Sequence, residues 1–273
     1  MVYEYTLQEV APYINWIYFF HAWGMATKPQ AEKDRLRQEA IERIERHGRD
    51  YRTLAVCQLF DAYGDGDDIV VSGGGVGEQR IPLLRQQQQG SECLCLADFI
   101  APQHARNAEP AFRQIALFAT TVSPGLETDF AHDPYEKLMM QLLADRLAEA
   151  TAERMHEQVR RRDWGYAPGE QLSISDMLQE HWQGIRPAVG YPSLPDTSLN
   201  FLIDQLIDMK QIGIRLTESG AMKPHASVSG LIMAHPAARY FAVGKIGEDQ
   251  LRDYAARRGL PLAICRKFLA ANL

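Results

Sequence analysis

Residues 133–162 read DPYEKLMMQLLADRLAEATAERMHEQVRRR, and this stretch organises the reading of everything around it. Leu138, Leu142, Asp145, Glu149 and Ala152 recur along one side at helical spacing, with Met139, Leu143, Leu147 and Met155 close beside them. The pattern predicts one long helix over 134–162, starting at Asp-Pro. On its N-terminal side lies a block of strand-like segments: TLAVCQLF (53–60), DIVVS (68–72), QRIPLL (79–84), CLCLADFI (93–100) and FRQIALFATTV (112–122). SGGGVGE (72–78) reads as the turn of a hairpin within that block. Further out, 30–50 is a charged helix with a narrow apolar face of Leu36, Ala40, Ile41 and Ile44, stopping near Gly48, and 6–25 reads as a short entry helix followed by an aromatic-rich segment.

On the C-terminal side, SDMLQEHW (175–182) reads as a short helix capped by Ser175, and SLNFLIDQLIDMKQ (198–211) as another. GIRLTES, SVSGLIMAH and RYFAVGKI, within 213–246, read as strands, and two helices close the chain. Strands and helices come in blocks without a βα repeat. The fold class is therefore α+β with a mainly antiparallel sheet, and one domain (1–273) is expected.

The 273 residues carry a formal charge of −6, which argues against a nucleic-acid or anionic-membrane binder. The most apolar early run, 13–25, is interrupted by Asn15 and His21 and is too short to span a bilayer. Cys57, Cys93, Cys95 and Cys265 lack the paired spacing of a zinc site and read as reduced thiols of a cytoplasmic protein, Cys93 and Cys95 on one side of a strand. No HExxH, DxHxxG or GxSxG occurs, and SGGGVGE lies between strands where a phosphate loop would open a helix. Arg160-Arg161-Arg162 is a basic helix end.

RPAVGYPSLPD (186–196) stiffens a short loop with Pro187, Pro192 and Pro195 directly behind an arginine. By itself this suits either a ligand site or a stiff turn whose arginine pairs with a nearby carboxylate. Taken with YINWIYFFHAWG, LADRLAEA, WGYAP, QGIRPAVGYP, LTES, ASVSG and HPAARYFAVGKI, in that order and spacing, the chain resembles the activation domain of cobalamin-dependent methionine synthase. The resemblance runs from about residue 10 to the terminal LAANL and implies a C-shaped domain, here as a free-standing protein.

The resemblance also implies S-adenosylmethionine as ligand. Arg186 would take its carboxylate as a planar fork, with Pro187, Ala188 and Gly190 shaping the loop. Tyr191, Tyr240 and Phe241 would supply aromatic or hydroxyl contacts, and Glu149 and Glu180 would favour the cationic sulfonium. Asn15 stands where the family has aspartate, and Asp145 matches a position facing the cobalamin module. No catalytic side chain and no metal ligand is expected. The implied role is that of a subunit of a split methionine synthase that does not turn over alone. Its partners would be a cobalamin-binding synthase subunit and a flavodoxin-like electron donor. The same residues would serve a reactivator of another corrinoid methyltransferase, or a module that binds S-adenosylmethionine without turnover.

Overall fold

The structure is a computed structural model that describes residues 1–88, 92–105 and 107–273. Its strands are β1 (Val2–Thr6), β2 (Arg52–Asp65), β3 (Asp68–Gly73), β4 (Val76–Pro82), β5 (Gln114–Val122), β6 (Arg215–Leu216), β7 (Met222–Lys223) and β8 (Ser227–Ile232). The main sheet runs β4-β3-β2-β5-β8, with β1 paired to β2, while β6 and β7 form a separate ribbon. Antiparallel registers set Val2 opposite Val56 and Asp61 opposite Ser72. The α+β class and the mainly antiparallel sheet stand as expected, and the glycine-rich turn does join β3 to β4.

Contacts divide the chain into two compact units, Met1–Val56 with Ala119–Trp182 and Met209–Val228, and Cys57–Phe118 with Gln183–Asp208 and Ser229–Leu273. The first unit holds helices α1 (Leu7–Val10), α2 (Trp16–Ala22), α3 (Gln30–His47), α4 (Gly125–Thr128), α5 (Pro134–Gln158) and α6 (Ile174–Leu178). Asp133 opens α5, its carboxylate accepting the N–H groups of Tyr135 and Glu136 at 2.8 and 3.2 Å. Met139, Leu143, Leu147 and Met155 are fully buried while Leu138 is exposed, and of the α3 face Leu36, Ala40 and Ile44 are buried and Ile41 half-buried. The α-helix ends at Gln158, and Val159–Asp163 continues as a single π turn.

The second unit holds α7 (Leu199–Ile207), α8 (Glu248–Arg258) and α9 (Leu262–Phe268). Leu84, Val243, Ile246, Leu251, Tyr254, Cys265 and Leu269 form one buried cluster there. The Tyr254 hydroxyl donates to Asp196 at 2.7 Å, and Asp196 also accepts the Ser198 N–H, so the end of the proline loop is tied to α8.

Several expectations need correction. CLCLADFI is no strand: Leu96–Phe99 is a 3-10 turn, because Asp98 folds back to accept the Cys95 N–H at 2.8 Å. The same carboxylate takes both Nη groups of Arg85 at 2.7 Å. Cys95 is buried and Cys93 half-buried, so the two are not equivalent strand positions. RYFAVGKI has no ladder; its backbone bonds to the proline loop instead. Only Arg215–Leu216 of GIRLTES is strand. The cap of α6 is Ser173, whose hydroxyl accepts the Asp176 N–H while Asp176 returns the bond, and the helix stops at Leu178. β1 carries no reading in the sequence, where its five residues alternate too briefly.

Candidate functional site

In the second unit, the segment behind Gln183 runs antiparallel to the C-terminal half of β8. Ile185 and Met233 exchange both backbone hydrogen bonds, at 3.0 and 2.9 Å. Leu231 N–H donates to the Pro187 carbonyl at 3.0 Å, and Val189 N–H to the Ser229 carbonyl at 2.9 Å. Pro187 has no N–H to offer, so its position wastes no donor. The Arg186 N–H turns the other way and donates to the Tyr240 hydroxyl at 3.0 Å. Arg186 is thus fixed at its backbone, and the residue is half-buried.

The loop then closes on itself. Gly190 N–H donates to the Leu194 carbonyl at 2.8 Å, and Leu194 N–H returns to Tyr191 at 2.9 Å. Gly190 has φ +90, a conformation that costs an L side chain about 1–2 kcal/mol. Ser193 bridges to the following segment: its hydroxyl accepts the Phe241 N–H at 3.0 Å and donates to the Phe241 carbonyl. Val243 N–H reaches the Pro192 carbonyl at 2.9 Å. Gly230 permits the whole approach, since a Cβ there would stand 2.2 Å from the Pro187 carbonyl oxygen. The structure therefore brings Arg186, Pro187, Ala188, Gly190, Tyr191, Tyr240 and Phe241 into one hydrogen-bonded array. Tyr191 and Tyr240 are 53% and 39% exposed, which leaves aromatic surface at its edge.

The remaining sequence-predicted residues lie in the first unit. Asp145 and Glu149 are one turn apart on α5, both half-buried. Burial pushes the Asp145 carboxyl up, nearby Glu127 adds to this, and Arg146 and His225 oppose it. The His225 ring sits 3.8 Å from Asp145, while Glu127 accepts the backbone N–H groups of His225 and Ala226. Asn15 is the N-cap of α2, its side-chain oxygen accepting the Ile17 N–H at 3.2 Å.

Glu180 occupies a position that usually belongs to glycine. Its φ is +60, just past the end of α6. Glu180 N–H donates to Met177 at 3.0 Å and His181 N–H to Asp176 at 3.1 Å, the paired bonds of a Schellman ending. A carboxylate side chain is thereby held in a left-handed turn where a glycine would be unstrained.

Sequence reasoning missed Ser193, Gly230, Glu127 and His225 as supports of these residues. ASVSG and GYPS contain the first two, but the signal is a close approach between distant segments, which no local pattern reveals.

The chemistry on offer is recognition: a cationic fork with aromatic surface in one unit, and carboxylates in the other. Residues 6–259 match the family described as "Vitamin B12 dependent methionine synthase, activation domain". A crystal structure of the MetH reactivation domain bound to AdoHcy is 37% identical in sequence, with a TM-score of 0.91 over 100% of this chain and 90% of that one. The chain belongs to the family of activation domains of vitamin B12-dependent methionine synthase.

Proposed function

We propose that the chain binds S-adenosylmethionine and supports the reductive methylation of cobalamin carried by a partner subunit of a split methionine synthase, in the cytoplasm. The observation that carries this reading is the pinned Arg186 loop, whose main chain is held by bonds to the β8 segment and to Tyr240. A guanidinium suits the ligand carboxylate, and ordering the loop's main chain in advance lowers the cost of binding. Tyr191 and Tyr240 offer exposed aromatic surface to an adenine or sulfonium. Glu149 and Glu180 provide negative charge that favours a sulfonium over its neutral demethylated product. The donor set therefore fits this ligand.

When bound, S-adenosylmethionine supplies an activated methyl group. With one electron from a flavodoxin-like donor, that methyl converts cob(II)alamin to methylcobalamin and leaves S-adenosylhomocysteine. The chain's own contribution is positioning, with Asp145 turned to the cobalamin-bearing partner.

The test mixes the chain with a methionine synthase subunit carrying cob(II)alamin, reduced flavodoxin and methyl-labelled S-adenosylmethionine. Label on cobalamin is expected. Binding without label transfer would reduce the chain to a binding module, and transfer only to a different corrinoid protein would reassign the partner. Arg186→Ala should weaken binding by about 1.5–3 kcal/mol, the range for a charge-assisted hydrogen bond. Equal affinity of the two proteins by calorimetry would remove Arg186 from the site.

A further inference from the structure

The π turn at Val159–Asp163 carries a fully buried guanidinium, that of Arg160. Glu170 grips it from one side, with Nε to Oε2 at 2.8 Å and Nη2 to Oε1 at 2.5 Å. Its flat face lies over the Trp182 ring, 4.9 Å from the centroid. His156, also fully buried, meets the same ring edge-on at 5.1 Å and pairs with the Tyr166 hydroxyl at 3.2 Å. The Arg160 carbonyl accepts the Ala167 N–H at 2.9 Å. Arg160 and His156 thus meet around the Trp182 ring, with Glu170 and Tyr166 as their partners.

A buried ion pair of this kind is weak evidence for stability, because desolvation offsets most of its attraction. Its placement suggests another use. Trp182 is two residues beyond Glu180, whose backbone is in the left-handed region. Such strain persists only where the surroundings over-determine it. The two Schellman bonds fix the near side of Glu180, and the clamped indole fixes the far side.

We infer that Arg160 is a positioning residue: by clamping Trp182 it holds Glu180 in its strained turn, and so sets how strongly the protein prefers a sulfonium ligand to its neutral product. The inference rests on the reading of Glu180 as a ligand-facing carboxylate. Releasing the indole lets residue 180 relax toward a right-handed conformation, which carries its carboxylate away.

The experiment measures the affinities of the full chain for S-adenosylmethionine and S-adenosylhomocysteine, well below the unfolding temperature, and takes their ratio. Glu180→Gln provides the reference loss. Arg160→Met should lower the ratio roughly fivefold, as for partial loss of a charge-assisted contact, and should add nothing in the Glu180→Gln background. Trp182→Phe, a smaller change, serves the same purpose should Arg160→Met fold poorly. A folded Arg160→Met or Trp182→Phe protein with the wild-type ratio and only a lower melting temperature overturns the inference. If Glu180→Gln itself leaves the ratio unchanged, the reading of Glu180 falls, and this inference with it.

Discussion

The hydroxyl of Tyr240 accepts the backbone N–H of Arg186 at 3.0 Å, so an aromatic side chain and the start of the proline loop are joined 54 residues apart in sequence. The bond goes to the main chain of Arg186, so it sets the course of the loop at the residue proposed to recognise the ligand. Tyr240→Phe keeps the ring and removes only this acceptor. The expected loss in S-adenosylmethionine affinity is about 1 kcal/mol, or roughly fivefold. Calorimetry finding no change would show that the loop keeps its shape without the bond.

Glu180→Gly should separate stability from function. Glycine relieves the left-handed backbone, while its freer unfolded state takes part of the gain back, for a net stabilisation of about 0.5–1 kcal/mol. Affinity for S-adenosylmethionine should fall at the same time. Denaturant unfolding and calorimetry on one preparation check both. A less stable glycine variant would mean that the carboxylate makes folded-state contacts worth more than the strain.

Asp145 gives a pH-dependent outcome. Burial raises its carboxyl above the ordinary 3.8, so the folded chain holds this proton to higher pH than the unfolded chain does. Its contribution to stability is present below 3.8 and is lost as pH rises through the folded value. Asp145→Asn should therefore be more stable than wild type at pH 7, with the difference closing as the pH is lowered past the ordinary value. The same variant should impair methylation of a partner's cobalamin while S-adenosylmethionine binding is unchanged. A parallel loss of binding would move the residue into the ligand site.

Asn15 caps α2, a task that aspartate performs as well, and with a favourable charge at a helix N-terminus. Asn15→Asp should thus leave the fold intact. With the fold preserved, affinity for S-adenosylmethionine is expected to rise about fivefold, and more at low salt than at high. The expected gain is an ion pair between the new carboxylate and the ligand's ammonium; titration at two ionic strengths decides the matter, and unchanged or weaker binding refutes that contact.

The two contact-defined units are expected to unfold as one domain, since the chain passes from one to the other within β2, β5 and β8. Coincident melting followed by tryptophan fluorescence and far-ultraviolet dichroism is the expected result. Two resolved transitions would split the domain.

The legible parts of the sequence were those decided locally. The spacing of Met139, Leu143, Leu147 and Met155 announces α5, and these residues are buried as read. The glycine run between β3 and β4 announces its turn. The failures were segments whose backbone found non-local partners. RYFAVGKI is rich in strand formers, yet the Ser193 hydroxyl and Pro192 carbonyl take its backbone groups and no ladder forms. CLCLADFI is apolar enough for a buried strand, but Asp98 caps its own turn and is held there by Arg85. Among the site residues, the proline loop was visible from composition, whereas the strain at Glu180 was not: a glutamate in a left-handed turn leaves no mark in sequence.

The close approach at Gly230 sets limits on redesign. A library that randomises residues 186–191 to change ligand choice samples loops that must still lie against a backbone with no side chain at position 230. Even alanine there would drive a methyl group into the Pro187 carbonyl, so the loop would move before any new contact was tested. Loop and strand are therefore one design variable: diversity belongs at Arg186 and at the two exposed tyrosines, with Gly230 held constant.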